Sequence, residues 1–309
     1  MENIKISIII PSKNGRHHLT ETLPATIKAC QNTKIKTEII VIDDNSQDNT
    51  LDLSNTFPQV TFLKNTYAGA CSARNLGASK AKSNILLFID NDVFLNTDFF
   101  ESAMNCFNKN FFAAACCGYW AFDGRQLDGI KTIEFKRGFP RFTGNILNNR
   151  LQDNKNYLSF GVQGAYFFCS KEKFDTLGGF DILFEPYLLE ETDLIYRGLK
   201  RGWHINYISQ TKPLHKCGGT IQSKISPQTK FLSKRNRYIF VWKNIHSKSL
   251  LIKHIFWLIL RLPYDFKAVI GALKEIKKIL KARKAEKSAA VLSDTYLIKQ
   301  CKEQEQHYV

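Results

Sequence analysis

Three short strand-like runs, Ile6–Ile10 (ISIII), Glu38–Ile42 (EIIVI) and Ile85–Ile89 (ILLFI), constrain this chain more than anything else in it. They lack the polar alternation of a half-exposed strand and are too short for a typical helix. Runs of this kind are buried on both faces, as in a mostly parallel sheet covered by helices. The intervening stretches agree. Leu19–Cys30 has helical spacing, with Thr20 as N-cap and Glu21 in the first turn. Asp48-Asn49-Thr50 opens a second helix, and Val60–Leu63 reads as a short further strand. Strand and helix alternate, a repeated βαβ pattern.

Each run stops on polar residues: Pro11-Ser12-Lys13-Asn14, Asp43-Asp44-Asn45-Ser46 and Asp90-Asn91-Asp92. Parallel order puts these ends on one edge, where open α/β sheets bind ligands. Asp90 and Asp92, one residue apart, repel each other. A divalent cation bridging a diphosphate gives such a pair a purpose, because Mg²⁺ and Mn²⁺ take oxygen ligands. The competing account is a strand end turning into solvent, and Asp44-Asn45-Ser46 is also good turn chemistry.

The ordered set IIIPSKN (8–14), EIIVIDDNSQDNT (38–50), GACSARNLGASKA (69–81), ILLFIDNDV (85–93), LGGFD (177–181), EETDL (190–194) and TKPLHKCGGT (211–220) resembles the family-2 glycosyltransferases of bacterial surface-polysaccharide type. The resemblance covers roughly the first 220 residues. It implies the GT-A fold, a Rossmann-like mixed sheet flanked by helices, over residues 1–225. Residues 1–93 would form the nucleotide-binding half and 94–225 the acceptor half. A basic, aromatic-rich helical extension follows over 226–309.

The resemblance also implies roles. Pro11, Ser12, Asn14, Asp43, Asp44, Arg74, Asp90 and Asn91 would contact the donor nucleotide-sugar. Asp44, with Asp43 as second choice, would accept from the imide N–H of uracil or thymine, since a carboxylate only accepts. Arg74 offers a planar fork to ribose and diphosphate. Asp92 would ligate Mn²⁺ or Mg²⁺ directly, with Asp90 and His215. The base that deprotonates the acceptor hydroxyl would be Glu191 or Glu190. The family pattern there is Glu-Asp-x-Asp-Leu, and this chain has Glu191 at the base position. Gln163, Gly164 and Asp193 fall on the acceptor side, though Asp193 also suits capping or tethering its helix. Asp123–Lys136 and Gly138–Asn156 read as a strand pair and loops bordering the acceptor cleft.

The net charge of +16 is unevenly spread: residues 230–287 hold sixteen Lys and Arg against three acids. Aromatic residues interleave with them, and Leu250–Leu262 is apolar but broken by Lys253, His254 and Arg261, with Pro263 ending the helix. Such amphipathic helices lie in a membrane interface and favour anionic lipid; a solvated helical pair packed on the core is the alternative. No nucleic-acid-binding module is readable. Eight scattered cysteines without Cys-x-x-Cys read as reduced core residues. No signal peptide or 18-residue uncharged span is evident. The expectation is therefore a cytoplasmic enzyme, peripheral on the inner face of the membrane. It would be an inverting, metal-dependent transferase moving a sugar from a UDP- or dTDP-linked donor to a hydroxyl of a cell-surface glycan or lipid-linked acceptor. The alternatives are a non-catalytic nucleotide- or glycan-binding protein on the same fold, and a sugar nucleotidyltransferase.

Overall fold

A computed structural model describes residues 5–107, 110–146, 151, 157–216 and 226–308. The first half alternates as its apolar runs dictate: β1 (Lys5–Ser12), α1 (Arg16–Gln31), β2 (Lys36–Asp43), β3 (Thr61–Lys64), α2 (Ala70–Lys80), β4 (Ile85–Ile89) and β5 (Val93–Phe94). Then come α3 (Phe99–Ala103), β6 (Ala113–Cys116), β7 (Tyr119–Trp120), β8 (Ile130–Lys136), β9 (Phe139–Ile146), β10 (Tyr157–Ser159), β11 (Tyr166–Ser170) and α4 (Lys171–Thr176). The remainder is α5 (Glu190–Lys200), β12 (Ile205–Ile208), β13 (Leu214–His215), α6 (Pro227–Asn244), α7 (Lys248–Leu273), α8 (Ile276–Ala289) and α9 (Asp294–Tyr308).

Eight strands form one mixed sheet in the order β10-β12-β6-β11-β4-β1-β2-β3. The run β4-β1-β2-β3 is parallel, with Ile8 opposite both Ile39 and Leu87. β11 is antiparallel to β4 and β6. Two hydrophobic clusters cover the two faces, one under α2 and α5, the other under α1 and α3. Every residue of β4 is buried, as expected of a strand covered on both sides. A small sheet, β5-β13-β7, sits beyond the carboxyl end of β4. In it β13 runs antiparallel to β5 with His215 opposite Val93, and the Lys216 amide donates to the Asp92 carbonyl at 3.0 Å. β8 and β9 form the expected strand pair, a hairpin turned at Arg137 and Gly138. Most of Gly138–Asn156 beyond β9 lies outside the described residues.

Three local expectations are corrected. α1 begins at Arg16 behind Gly15, so Thr20 is inside the helix, where its hydroxyl donates to the Arg16 carbonyl at 2.8 Å. Thr50–Asn55 forms a 3₁₀ turn rather than an α-helix. Pro263 does not end a helix: α7 continues through it to Leu273. The hydrogen bond lost to proline costs roughly 3 kcal/mol. Buried Asp265, two residues on, accepts from Tyr238, Lys234 and Arg261 and ties this part of α7 to α6.

The C-terminal helices are tied to the sheet domain by polar contacts as well as apolar ones. On α6, the buried Asn236 amide donates to the carbonyls of Phe184, Tyr187 and Leu188 at 3.1, 3.0 and 2.7 Å. On α9, buried Asp294 accepts from Tyr196 and Lys200 of α5 and from the amides of His246 and Ser247. α7 presents an exposed apolar face that includes Ile252, Ile255, Phe256 and Ile259. Among the described residues no helix is long and apolar enough to cross a membrane.

Candidate active site

The carboxyl ends of β1, β2 and β4 meet as the sequence requires. The Asp44 amide donates to the Ser12 carbonyl at 2.7 Å, and Asn91 Nδ2 donates to Ser12 Oγ at 2.9 Å. Asn14 is in the left-handed region (φ 51°); its Oδ1 accepts from the Gln47 amide at 2.7 Å and its amide donates to Ser46 Oγ. Pro11 is half-buried beside them, and Asp43 Oδ1 accepts from the Ser46 amide at 3.2 Å. Asp44 is already engaged: Oδ1 accepts from the Gly69 amide at 2.9 Å and from Asn65 Nδ2 at 2.8 Å. The two loops are thereby fixed into one shelf before any ligand arrives.

Gly69, which precedes α2, has φ 139°, and a Cβ there would fall 1.8 Å from Glu185 Oε2. Only glycine allows Glu185 to reach the start of α2, where its Oε1 accepts from the Ser72 amide at 2.8 Å. Burial, before any other cause, raises the Glu185 pKa.

Arg74 does not aim an open fork at the cleft. Its Nη1 donates to Glu190 Oε1 at 2.9 Å and its Nη2 to Asp90 Oδ1 at 2.8 Å, so both terminal nitrogens hold carboxylates. Burial alone would lower its pKa, but Asp90 and Glu190 more than reverse that. Arg74 thus joins the strand-end acids to the start of α5. Glu190 is buried, with Oε2 lacking a hydrogen-bond partner among the described residues. Burial, and then the charge of Glu191, push it up to about 7 against the pull of Arg74.

Asp92 is buried and His215 half-buried, with His215 Nε2 3.2 Å from Asp92 Oδ1. Burial would lower the His215 pKa; the Asp92 hydrogen bond and charge turn the net shift upward. One donor atom each from Asp90, Asp92 and His215 lie within 4.8 Å of one another. Two carboxylates and an imidazole around one point are a donor set that Mn²⁺ accepts readily and Mg²⁺ less so. The residues present fit such a cation. The Gly218-Gly219 that follow His215 lie outside the described residues.

A cavity of about 440 Å³ opens beside Gly161, Val162 and Gln163. Its lining includes Glu191, Gln163, Lys131, Arg141, Arg237 and Phe142. Glu191 reaches it at the first turn of α5, where Oε1 accepts from Thr192 Oγ1 at 2.9 Å. Gly164 matters because a Cβ there would lie 3.2 Å from Glu191 Cγ. Next to it, the Ala165 carbonyl accepts from the Asp90 amide at 2.9 Å, so Glu191 and the strand-end acids flank one segment. Lys131 Nζ reaches Asp128 at 3.4 Å and Gln163 at 3.3 Å. Asp128 also accepts from the Tyr166 hydroxyl, and the Tyr166 ring lies edge-on to His215.

Asp193, expected on the acceptor side, is not in the cavity. It lies in the first turn of α5, fully buried, and accepts from Lys243 Nζ at 2.8 Å, Arg197 Nε at 2.8 Å and Asn244 Nδ2 at 2.7 Å. With both oxygens engaged it tethers α5 to α6. Leu188 and Leu189, just before α5, hold left-handed φ angles of 81° and 70°. Such angles are costly for bulky residues and persist where surrounding structure imposes them; Asn236 on α6 does so here. The sequence reading missed Asn65, Asp128, Lys131, Glu185, Arg237 and Asn236. None sits in a motif, and Asn236 and Arg237 reach the site from α6, far along the chain.

A model of glycosyl transferase family 2 matches residues 7–178, more than half of the 309. This chain belongs to that family. Its glycosyl transferase region is 26% identical over 153 residues to poly(ribitol-phosphate) beta-N-acetylglucosaminyltransferase TarS of Staphylococcus aureus, covering 48% of this chain and 26% of TarS. Over 97 residues it is 34% identical to UDP-Glc:alpha-D-GlcNAc-diphosphoundecaprenol beta-1,3-glucosyltransferase WfgD of Escherichia coli, covering 30% of this chain and 36% of WfgD. The matches thus span roughly a quarter to a third of those relatives. The crystal structure of GalNAc-T7 with UDP, GalNAc and Mn²⁺ superposes with a TM-score of 0.70 at 18% identity, over 99% of this chain and 58% of that one. S. aureus TarS 1-349 in complex with UDP-GlcNAc superposes with a TM-score of 0.55 at 14% identity, over 99% and 89%. At these identities the likeness speaks for the fold, a GT-A sheet flanked by helices.

Proposed function

We propose that this protein transfers a sugar, with inversion, from a nucleoside-diphosphate donor to a hydroxyl of a glycan or lipid-linked acceptor. The observation that carries the reading is that Arg74 links Asp90 of the Asp90–Asp92–His215 cluster to Glu190, while the adjacent Glu191 packs on Gly164 and lines an open cavity. In this reading Asp90, Asp92 and His215 hold a divalent cation, Mn²⁺ or Mg²⁺. When bound, that ion neutralises the charge growing on the departing diphosphate. Pro11, Ser12, Asn14, Asp43, Asp44 and Asn91 form the shelf for the nucleotide. Uracil or thymine suits the two aspartates.

Glu191 acts as the base. It faces the cavity, whereas Glu190 is locked against Arg74 and holds that arginine in place. The acceptor hydroxyl enters beside Glu191, gives up its proton, and attacks the anomeric carbon on the face opposite the leaving group. Arg74 is a positioning residue that orients Asp90 and Glu190. Residues 1–93 serve the donor and residues 94–225 the acceptor, with α6 supporting α5 from behind. The exposed apolar face of α7, with Lys253, Arg261, Lys267 and Lys274 along the same helix and its end, supports a peripheral position on an anionic membrane.

The test is release of nucleoside diphosphate from a panel of UDP- and dTDP-sugars with Mn²⁺, by the intact chain and by Asp92→Ala. The reading expects turnover with at least one donor and its loss in the variant. Turnover retained by Asp92→Ala would refute the assigned cation site.

A further inference from the structure

Arg237 on α6 lines the cavity, and the proposed transfer leaves its chemistry unused. Its guanidinium stacks on the Phe139 ring at 4.6 Å and has no hydrogen bond or ion pair among the described residues. It is half-buried and lines both the cavity at Glu191 and a second one of about 850 Å³ that shares Ser233 with it. Burial, and then the charges of Arg261 and Arg141, lower its pKa. Asp265 offsets part of that lowering but makes no ion pair with Arg237. Asp265 is held by Arg261, Lys234 and Tyr238, and Glu134 lies 3.7 Å from Arg141 on the outer edge. A cation kept half out of water beside two others, with no ion pair among the described residues, has donors left for an anion.

We infer that the cavity receives the phosphate of a phosphorylated acceptor, seated on Arg237 and Arg141, while the acceptor's hydroxyl lies at Glu191. The inference rests on the proposed function for the identity of the cavity as the acceptor side. A tetrahedral phosphate can take donors from several directions at once, and Arg237, Arg141 and Lys131 all line this cavity, whereas a carboxylate fits one planar fork. The volume exceeds what phosphate alone would fill and leaves room for a polyol or sugar unit. The second cavity leads from Arg237 past Arg261 to Tyr264 and Phe266 on α7. The phosphate could therefore belong to a lipid headgroup whose tail lies along α7, or to a soluble phosphorylated polyol.

Calorimetric titration of the intact chain, with the donor side filled by UDP and Mn²⁺, tests the site without chemistry. The probes are glycerol phosphate, octyl phosphate and their unphosphorylated counterparts. The phosphates should bind, the neutral compounds should not, and Arg237→Gln should weaken phosphate binding about tenfold to a hundredfold. Arg237→Lys should restore part of it, and a thermal melt of each variant separates lost binding from lost folding. Binding of octyl phosphate well above glycerol phosphate identifies a lipid headgroup, and equal binding a soluble acceptor. Folded Arg237→Gln that binds phosphate as the wild type does, or neutral probes that bind equally, would overturn the inference. Sugar transfer with no preference for phosphorylated acceptors would overturn it while leaving the transferase reading intact. Arg237-dependent phosphate binding in a chain that turns over no donor would do the reverse.

Discussion

Lys243→Met probes whether α6 is part of the active-site scaffold. Lys243 is 1% exposed and is held by three carboxylate oxygens, two on Asp193 at 2.8 and 2.9 Å and one on Asp181 at 2.5 Å. Methionine keeps most of the volume and removes the cation. Asp193, itself fully buried, would retain Arg197 and Asn244 only. Breaking a buried pair while leaving its partner charged costs about 3–5 kcal/mol. With m near 3 kcal/mol/M, the urea midpoint should fall by about 1 M or more. Adding Asp193→Asn should recover part of the loss, since the stranded charge disappears, and the double-mutant cycle should give a coupling of about 1–3 kcal/mol. Acid should act in the same direction. Burial would raise the Asp193 pKa, but Lys243 and Arg197 outweigh it and the net shift is downward from 3.8. A depressed carboxylate pKa contributes stability that is present above about pH 4 and drains as pH falls through the folded value. In Lys243→Met the depression is smaller, so acid unfolding should begin at a higher pH. A variant within 1 kcal/mol of wild type, or a double variant that is strictly additive, would refute this account of how α6 anchors α5.

Three further perturbations read separate parts of the site. Gly164→Ala places a methyl 3.2 Å from Glu191 Cγ, and should lower kcat about tenfold or more while leaving the urea midpoint nearly unchanged. Asn236→Ala frees the carbonyls of Phe184, Tyr187 and Leu188 and should cost about 2–3 kcal/mol with a fall in kcat, measured by urea unfolding and donor turnover. Ile252→Ser/Phe256→Ser/Ile259→Ser on the exposed face of α7 should weaken co-sedimentation with anionic vesicles about tenfold without lowering stability. Equal sedimentation would remove the membrane role. Removing residues beyond 228 would be a poor test of that role, since it also deletes Asn236 and Lys243.

What was legible in the sequence follows from where burial leaves a mark. β1, β2 and β4 are covered on both faces, so their apolar runs stand out, and the polar residues at their ends could be read as one edge. His215 was legible through its motif. The antiparallel pairing of β13 with β5 that sets it against Asp92 was not, because two-residue strands carry no periodicity. Thr20 was misread as a cap because hydroxyls also serve inside helices by bonding back one turn. Pro263 was misread because tertiary packing outweighed local propensity. Arg237, Asn236 and Lys243 were invisible as site residues. On a helix rich in Lys and Arg, nothing local separates a solvated cation from one turned inward.

The most direct measurement is single-turnover sugar transfer, with donor and acceptor both saturating, by Glu191→Gln and Glu190→Gln. A general base contributes about 10²–10⁴-fold. Glu191→Gln should lose transfer by that factor with the donor still bound, and Glu190→Gln should lose less, since Arg74 keeps Asp90 as a partner. Transfer by Glu191→Gln within about threefold of wild type, alongside a collapse in Glu190→Gln, would contradict the account.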